Sequence, residues 1–196
     1  MSALPLLKSF SAPPICEKEV LRYAGCREAD ENILALLRSC TEEAAECFTY
    51  NVCYRVCDLS VSGAVCDFGA FSVESETLSQ NLSASSRAII FAATVGTGID
   101  RLISKYSRIS PARAVILQAL GAERIEALCD AFCREMENEL GGRHTPRRSP
   151  GYGDISLSVQ HDIFSVLDAP RKIGLSLNDS LLMSPTKSVT AFIGVS

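Results

Sequence analysis

The chain lacks the marks by which many enzymes are named from sequence. Its 196 residues hold no GxSxG elbow, no HExxH helix, no GK[ST] phosphate loop and no paired-carboxylate signature. The only histidines, His144 and His161, do not sit at metal-ligand spacing. No basic excess exists, since 19 Lys and Arg face 23 Asp and Glu for a net charge of −4, which excludes strong electrostatic attraction to nucleic acid. The longest apolar run, Ala88 to Ala93, is far short of the roughly 20 residues a bilayer crossing needs. Met1 to Pro14 carries only Lys8 before a broken apolar stretch, which is not a secretory signal. Repeats and low-complexity tracts are missing too. These absences leave a soluble, cytoplasmic globular chain with no membrane partner, at 47% hydrophobic and 21% charged residues.

Nine cysteines are present, an odd number, with no CxxC pair among them. The tightest pair, Cys53 and Cys57, lies in Phe48–Cys57, where Phe48, Tyr50, Val52, Tyr54 and Val56 alternate as on a strand. Four positions along a strand span about 13 Å, too far for one zinc ion or a disulfide. The expectation is small reduced hydrophobes, with no structural metal and no obligatory disulfide.

Periodicity and punctuation place most elements. An irregular arm covers residues 1–15. Glu17–Tyr23 reads as a short helix closed by Gly25, and Asp30 as the N-cap of a second helix carrying Ile33, Leu34, Leu37, Cys40 and Ala44. The 48–57 strand then has a hairpin partner at 64–68, reached through a turn at 59–63 and closed by Phe71 and Val73. Residues 74–82 are helical, 87–95 form a buried strand, and 99–106 return to helical spacing. The clearest element begins at Ser110-Pro111, an N-cap followed by proline at the first helical position. Its stripe is Leu117, Leu120, Ile125, Leu128, Phe132 and Met136, its polar face Glu126, Asp130, Arg134 and Glu137, and its stop Gly141-Gly142. A loop spans 141–157, a short helix 159–167, a strand Ile173 and Leu175, a turn 185–187 and a last strand 188–195. The order mixes hairpins, helices and isolated strands without βαβ regularity, so the fold class is α+β in a single domain, a mixed or antiparallel sheet with packed helices.

Two segments could bind a ligand. The Val95-Gly-Thr-Gly-Ile-Asp100 turn joins strand to helix, where backbone N–H groups can hold an anion, but it lacks a dinucleotide fingerprint and reads better as a tight turn. In the long loop, Arg143-His-Thr-Pro-Arg-Arg-Ser-Pro-Gly-Tyr-Gly153 concentrates three arginines, whose planar forks suit carboxylates or phosphates, beside a Pro-Gly turn that would fix Tyr152.

Arg147-Arg-Ser-Pro-Gly-Tyr152 resembles the RxxxGY segment in the activation domain of cobalamin-dependent methionine synthase. Leu177-Asn-Asp-Ser-Leu-Leu-Met-Ser-Pro-Thr-Lys-Ser-Val-Thr-Ala191 is similar to that domain's (T/N)(E/D)SxxMxPxxSV(S/T)(G/A) segment, and Leu128-Cys-Asp-Ala-Phe132 falls where the family has a helix of LAEAF character. The resemblance is strongest over 111–195 and assigns 16–196 to such a domain. It implies a module that binds S-adenosylmethionine and supports reductive remethylation of a corrinoid, the cobalamin being carried by a partner protein. By the same resemblance Arg147 meets the methionine carboxylate, Ser149 supplies backbone contacts, Gly151 belongs to the same contact segment, and Tyr152 lies over the cofactor site. Asp130 would hold the ligand's amino or sulfonium charge. The family's aspartate contact near the start of its domain has no counterpart here. The implied role is an accessory to methionine biosynthesis, acting in trans on a corrinoid-binding methionine synthase without its own activation domain, with a flavodoxin-like reductant; it is not a complete methyltransferase alone. A docking protein that keeps the fold without the ligand is the alternative. On the first reading Arg147→Ala costs about 2–4 kcal/mol of binding, while Arg148, directed away from the ligand or into solvent, serves as the control.

Overall fold

The computed structural model describes residues 4–196. Along them run β1 (Leu6–Ser9), α1 (Glu17–Tyr23), α2 (Glu31–Ala44), β2 (Asn51–Asp58), β3 (Ser60–Ser62), β4 (Val65–Asp67), β5 (Ser72–Glu74), α3 (Glu76–Leu82), β6 (Arg87–Thr94), α4 (Gly98–Ile109), α5 (Pro111–Leu140), α6 (Gln160–Leu167), α7 (Ala169–Ile173), β7 (Ser176–Leu177), β8 (Met183–Ser184) and β9 (Ser188–Val195). The main sheet has the order β1-β2-β6-β9, antiparallel throughout. Its interior strand β6 is apolar on both faces because both faces are covered: Ile89, Phe91 and Ala93 point into one core cluster, Ala88, Ile90 and Ala92 into another. The alternation of β2 obeys the same geometry. Val52 and Tyr54 join the first cluster, and Cys53 and Cys57 the second. Antiparallel sheets and packed helices make the fold α+β in one domain. No helix of the described residues is long and apolar enough to cross a membrane.

The 30-residue α5 spans about 45 Å and dominates the first cluster. Leu117, Leu120, Leu128, Phe132 and Met136 are fully buried, each contributing about 1.5–3 kcal/mol of transfer free energy. Phe132 meets the rings of Phe10, Tyr54 and Phe91 at centroid distances of 6.4, 5.2 and 4.9 Å, so it ties the arm, β2 and β6 to the helix. Pro111 stands at the helix start, but the Ser110 side chain makes no capping bond. Asp30 does cap α2, accepting from the Ile33 N–H at 2.8 Å.

Three expectations need correction. The arm is not wholly irregular: Leu6–Ser9 forms an edge strand on β2, with Lys8 reaching across to Glu135 and Glu139 of α5. The first three residues of that arm lie outside the described residues. The segment 64–68 is not the hairpin partner of β2, whose two edges are taken by β1 and β6. Strands β3, β4 and β5, three residues each, pair with one another instead and form their own sheet around Val61, Cys66 and Val73. Ile173 ends a helix rather than starting a strand, because Gly174 at φ +66° stops α7. The Ile–x–Leu alternation that suggested a strand there straddles a helix end. The outer edge of β1 has no partner among the described residues, whereas β9 is flanked by the 143–148 segment, through bridges His144–Val195 and Arg148–Phe192.

Candidate functional site

The polar face of α5 meets the N-terminal arm across a groove of about 490 Å³, lined by Pro13, Pro14, Cys16, Glu19 and Tyr23 on one side and Glu123, Glu126, Ala127, Asp130 and Arg134 on the other. That volume lies within the range of small-molecule sites, roughly 300–1,000 Å³. The arm is held by two adjacent, almost fully buried charges. Arg124 donates to the carbonyls of Pro13 and Pro14 and to its neighbour Glu123, while Glu123 accepts from the Cys16 N–H at 3.0 Å. Burial opposes the Arg124 charge, but its hydrogen bonds and ion pair with Glu123 outweigh burial and raise its pKa.

The 141–157 loop is fastened at several points. Its 143–148 part runs beside β9, where Arg148 and Phe192 exchange backbone bonds at 3.0 and 2.8 Å. Asn81 of α3 donates to Thr145 and to the Pro146 carbonyl. Farther on, the Asp154 carboxylate accepts from the Ser75 hydroxyl and from the N–H groups of Glu76 and Thr77, at the start of α3. Those bonds, that of Ser75 first, hold Asp154 well below the usual carboxylate range. Between these anchors Tyr152 donates its N–H to Ser149 and Gly151 to Ile155. Gly151 has φ +84°, a conformation that favours glycine, and Gly153 packs so closely on Thr77 that a Cβ would fall 2.8 Å from its hydroxyl. Tyr152 is 68% exposed on this rigid turn.

Arg147 links loop and groove. Its guanidinium donates to Asp130 at 2.5 Å and to Glu126, both on α5. Burial works against its charge, but the bond to Asp130 and the neighbouring Glu126 more than compensate, and its pKa is raised. The structure therefore brings Arg147 and Asp130 together, as partners of each other rather than as two separate receptors. Ser149, Gly151 and Tyr152 do not line the groove; they form the turn that continues from Arg147. Arg148 is half-buried rather than in solvent, with a buried Nε that has no hydrogen-bond partner. Sequence reasoning placed Glu126 and Arg134 on the polar face without a role, and it missed Glu123 and Arg124. The available signal was two charges set between Leu120 and Ile125 on the apolar side of the helix, which require partners.

The glycine turn is a packing device. A Cβ on Gly98 would lie 2.2 Å from the Cys47 carbonyl oxygen, and one on Gly96 2.5 Å from the Thr49 hydroxyl. Asp100 accepts from the N–H and hydroxyl of Thr186 at 2.8 and 2.6 Å, so this turn seats the segment that leads into β9. Among the described residues the cysteines are unpaired thiols, and no group of three or more His, Cys, Asp or Glu is placed to hold a metal ion.

No family model and no curated protein matches this sequence. A solved structure does match in three dimensions: the crystal structure of the MetH reactivation domain bound to AdoHcy, with a TM-score of 0.74 over 97% of this chain and 78% of that one, at 13% identity. The chain has the reactivation-domain fold. At that identity the likeness is one of architecture, and at 97% coverage it takes in most of the chain before residue 111, where sequence motifs had shown little. Within this reactivation-domain fold, α5 and the 141–157 loop are the two elements that Arg147 joins.

Proposed function

We propose that the groove between α5 and the arm binds S-adenosylmethionine or its demethylated product, and that the chain serves in trans a corrinoid-binding methionine synthase without its own activation domain. The observation that carries this reading is the junction of Arg147 with Asp130 and Glu126 at the groove, in a fold whose solved neighbour holds AdoHcy. The groove residues fit such a ligand. Asp130 and Glu126 each commit one oxygen to Arg147 and keep the other for a cationic group. With one N–H committed to each carboxylate, Arg147 stands behind them and aims them as a positioning residue, and it keeps further N–H donors of its own. Ser149 and Gly151 offer backbone groups beside it, and Tyr152 presents an exposed ring on a turn that cannot easily move, suited to cover a flat cofactor face on a partner. When bound, S-adenosylmethionine would supply an activated methyl group, and the partner's cobalamin the metal that takes it after reduction, with a flavodoxin-like protein as electron source. The role of the chain is then to hold the donor and exclude water around it.

Calorimetry of the whole chain with S-adenosylmethionine and with AdoHcy tests the reading. Saturable heat with either is expected. No heat at millimolar ligand removes it and leaves a docking protein that shares the fold. Addition of the chain to a methionine synthase truncated before its activation domain, with reductant and S-adenosylmethionine, is expected to restore turnover.

A further inference from the structure

The least defended part of the fold is the outer edge of β1. This strand ends the main sheet, with β2 on one side and no partner on the other among the described residues. Its pairing with β2 decides which backbone groups are left over. The Phe10 N–H donates to the Tyr50 carbonyl at 2.8 Å, and the register steps back by twos through Lys8–Val52 and Leu6–Tyr54. Backbone groups alternate along an antiparallel strand, so those of Leu7 and Ser9 point outward, with the Pro5 carbonyl before them. Natural sheets commonly guard such an edge with a charged side chain. The one charge on β1 is Lys8, and it is drawn away to Glu135 and Glu139 on α5. Leucines stand at the edge instead: Leu4, Leu6 and Leu7 are 82%, 52% and 50% exposed.

We infer that this edge pairs with the same edge of a second copy of the chain, antiparallel about a two-fold axis through Leu7, so that two four-stranded sheets become one. An isologous contact needs a self-complementary edge, and this one is. On that axis each Leu7 N–H donates to the Leu7 carbonyl of the other copy, and each Ser9 N–H to the other copy's Pro5 carbonyl. Pro5 has no N–H to give, which ends the ladder there. Leu7 faces its own counterpart as an apolar cross-strand pair, whereas an axis one residue on would set Lys8 against Lys8, a like-charge pair that opposes that register. On the Leu7 axis Lys8 stands opposite the other copy's Leu6, on the face that carries α5. Its ammonium has three donors, of which two are committed to Glu135 and Glu139. The third is free for the other copy's carboxylate pair, which exceeds its own lysine by one charge. The contact is therefore complementary in charge as well as in hydrogen bonds. Its area sets its strength. Leu4 to Ser9 is a small fraction of the roughly 20–30 residues a side that a stable interface takes, so the dimer is weak, with Kd about 0.1–1 mM.

Sedimentation equilibrium of the full chain from micromolar to millimolar concentration tests this, with amide hydrogen exchange at both ends of the range. The wild type is expected to pass from monomer to dimer. The amides of Leu7 and Ser9 should slow as it does, while those of Lys8 and Phe10, already turned to β2, stay protected throughout. Leu7→Lys sets two like charges face to face and should weaken association by about tenfold or more. Leu7→Pro removes the outward N–H without taking a bond from β2 and should act in the same direction. Leu7 is half exposed, so both variants are expected to fold, and an unchanged melting temperature checks this. Should either melt early, amide exchange in the wild type decides alone. A wild type that remains monomeric at millimolar concentration overturns the inference and leaves the edge to a strand of another protein. A dimer that both variants leave at full strength also overturns it, as does one whose Leu7 and Ser9 amides exchange as in the monomer, since association would then use another face.

Discussion

Helix α5 fastens two irregular segments with two charged clusters barely a turn apart, and the clusters differ in how completely they are closed. Glu123 and Arg124, with side chains 5% and 1% exposed, fix the arm through backbone carbonyls and an N–H. Arg147, Glu126 and Asp130 are 26%, 42% and 55% exposed and fix the loop through side chains alone. A sealed cluster stores stability and has no valence left for anything else. An open one contributes little to folding, yet its unspent oxygens can meet a ligand. Exposure thus separates a closed fastening from an open one built of the same residue types.

The sharpest way to break this contrast is Arg124→Ala. It strands a buried Glu123 and frees the arm, so chemical denaturation should show a loss on the order of 3–5 kcal/mol. A loss below about 1 kcal/mol would mean the pair is as idle as a surface bridge. Arg147→Ala is expected to do the reverse: a change within about 1 kcal/mol in unfolding, but a fall of about tenfold in AdoHcy affinity as Asp130 and Glu126 lose their brace. Arg148→Ala, whose side chain leaves the strand-like segment on the opposite side, should not alter affinity. Equal effects of the two alanine variants on binding would separate Arg147 from the groove.

A third fastening sharpens the comparison through pH. Asp154 has a folded pKa below its unfolded value of about 3.9. Its contribution is therefore complete above that value and lost as pH falls toward the folded pKa. Wild-type melting should exceed that of Asp154→Asn by a constant margin from pH 5 to 8, and the margin should begin to narrow below about pH 4 and go on narrowing toward the folded pKa. A margin as large at pH 2 as at pH 7 would assign the effect to shape rather than charge. The smallest effect concerns the thiols. Burial pushes Cys53 up to about 12 and Cys57 and Cys66 up to about 11, so a thiol reagent on the native chain should label exposed Cys16 first. Mass mapping that finds Cys53 labelled early would show that β2 opens locally.

Legibility in the sequence followed the kind of signal each element carries. Helices α1, α2 and α5 and strands β6 and β9 announce themselves by a long period or by a cap, proline or glycine at an end. Strands β3 to β5 turn one residue inward apiece, and no period can be read from a single position. Strand β1 depends on pairing with residues near 52, which no local pattern reports. In the site, Arg147 and Asp130 were visible through motif likeness, but their mutual pairing was not, because it depends on the loop running along β9 to face α5. Arg124 was masked because it stands beside Glu123 and two residues before Glu126, where a buried charge and a solvated one look alike in sequence.

The sheet order also has a temporal meaning. Strand β6 cannot be covered on its second edge until Ser188–Val195 exists, about a hundred residues later. During synthesis, Ile89, Ile90 and Phe91 therefore wait on an open edge while four helices are made. Such a chain should be sparing of speed and dependent on chaperones at birth, whatever stability it reaches once β9 closes over it.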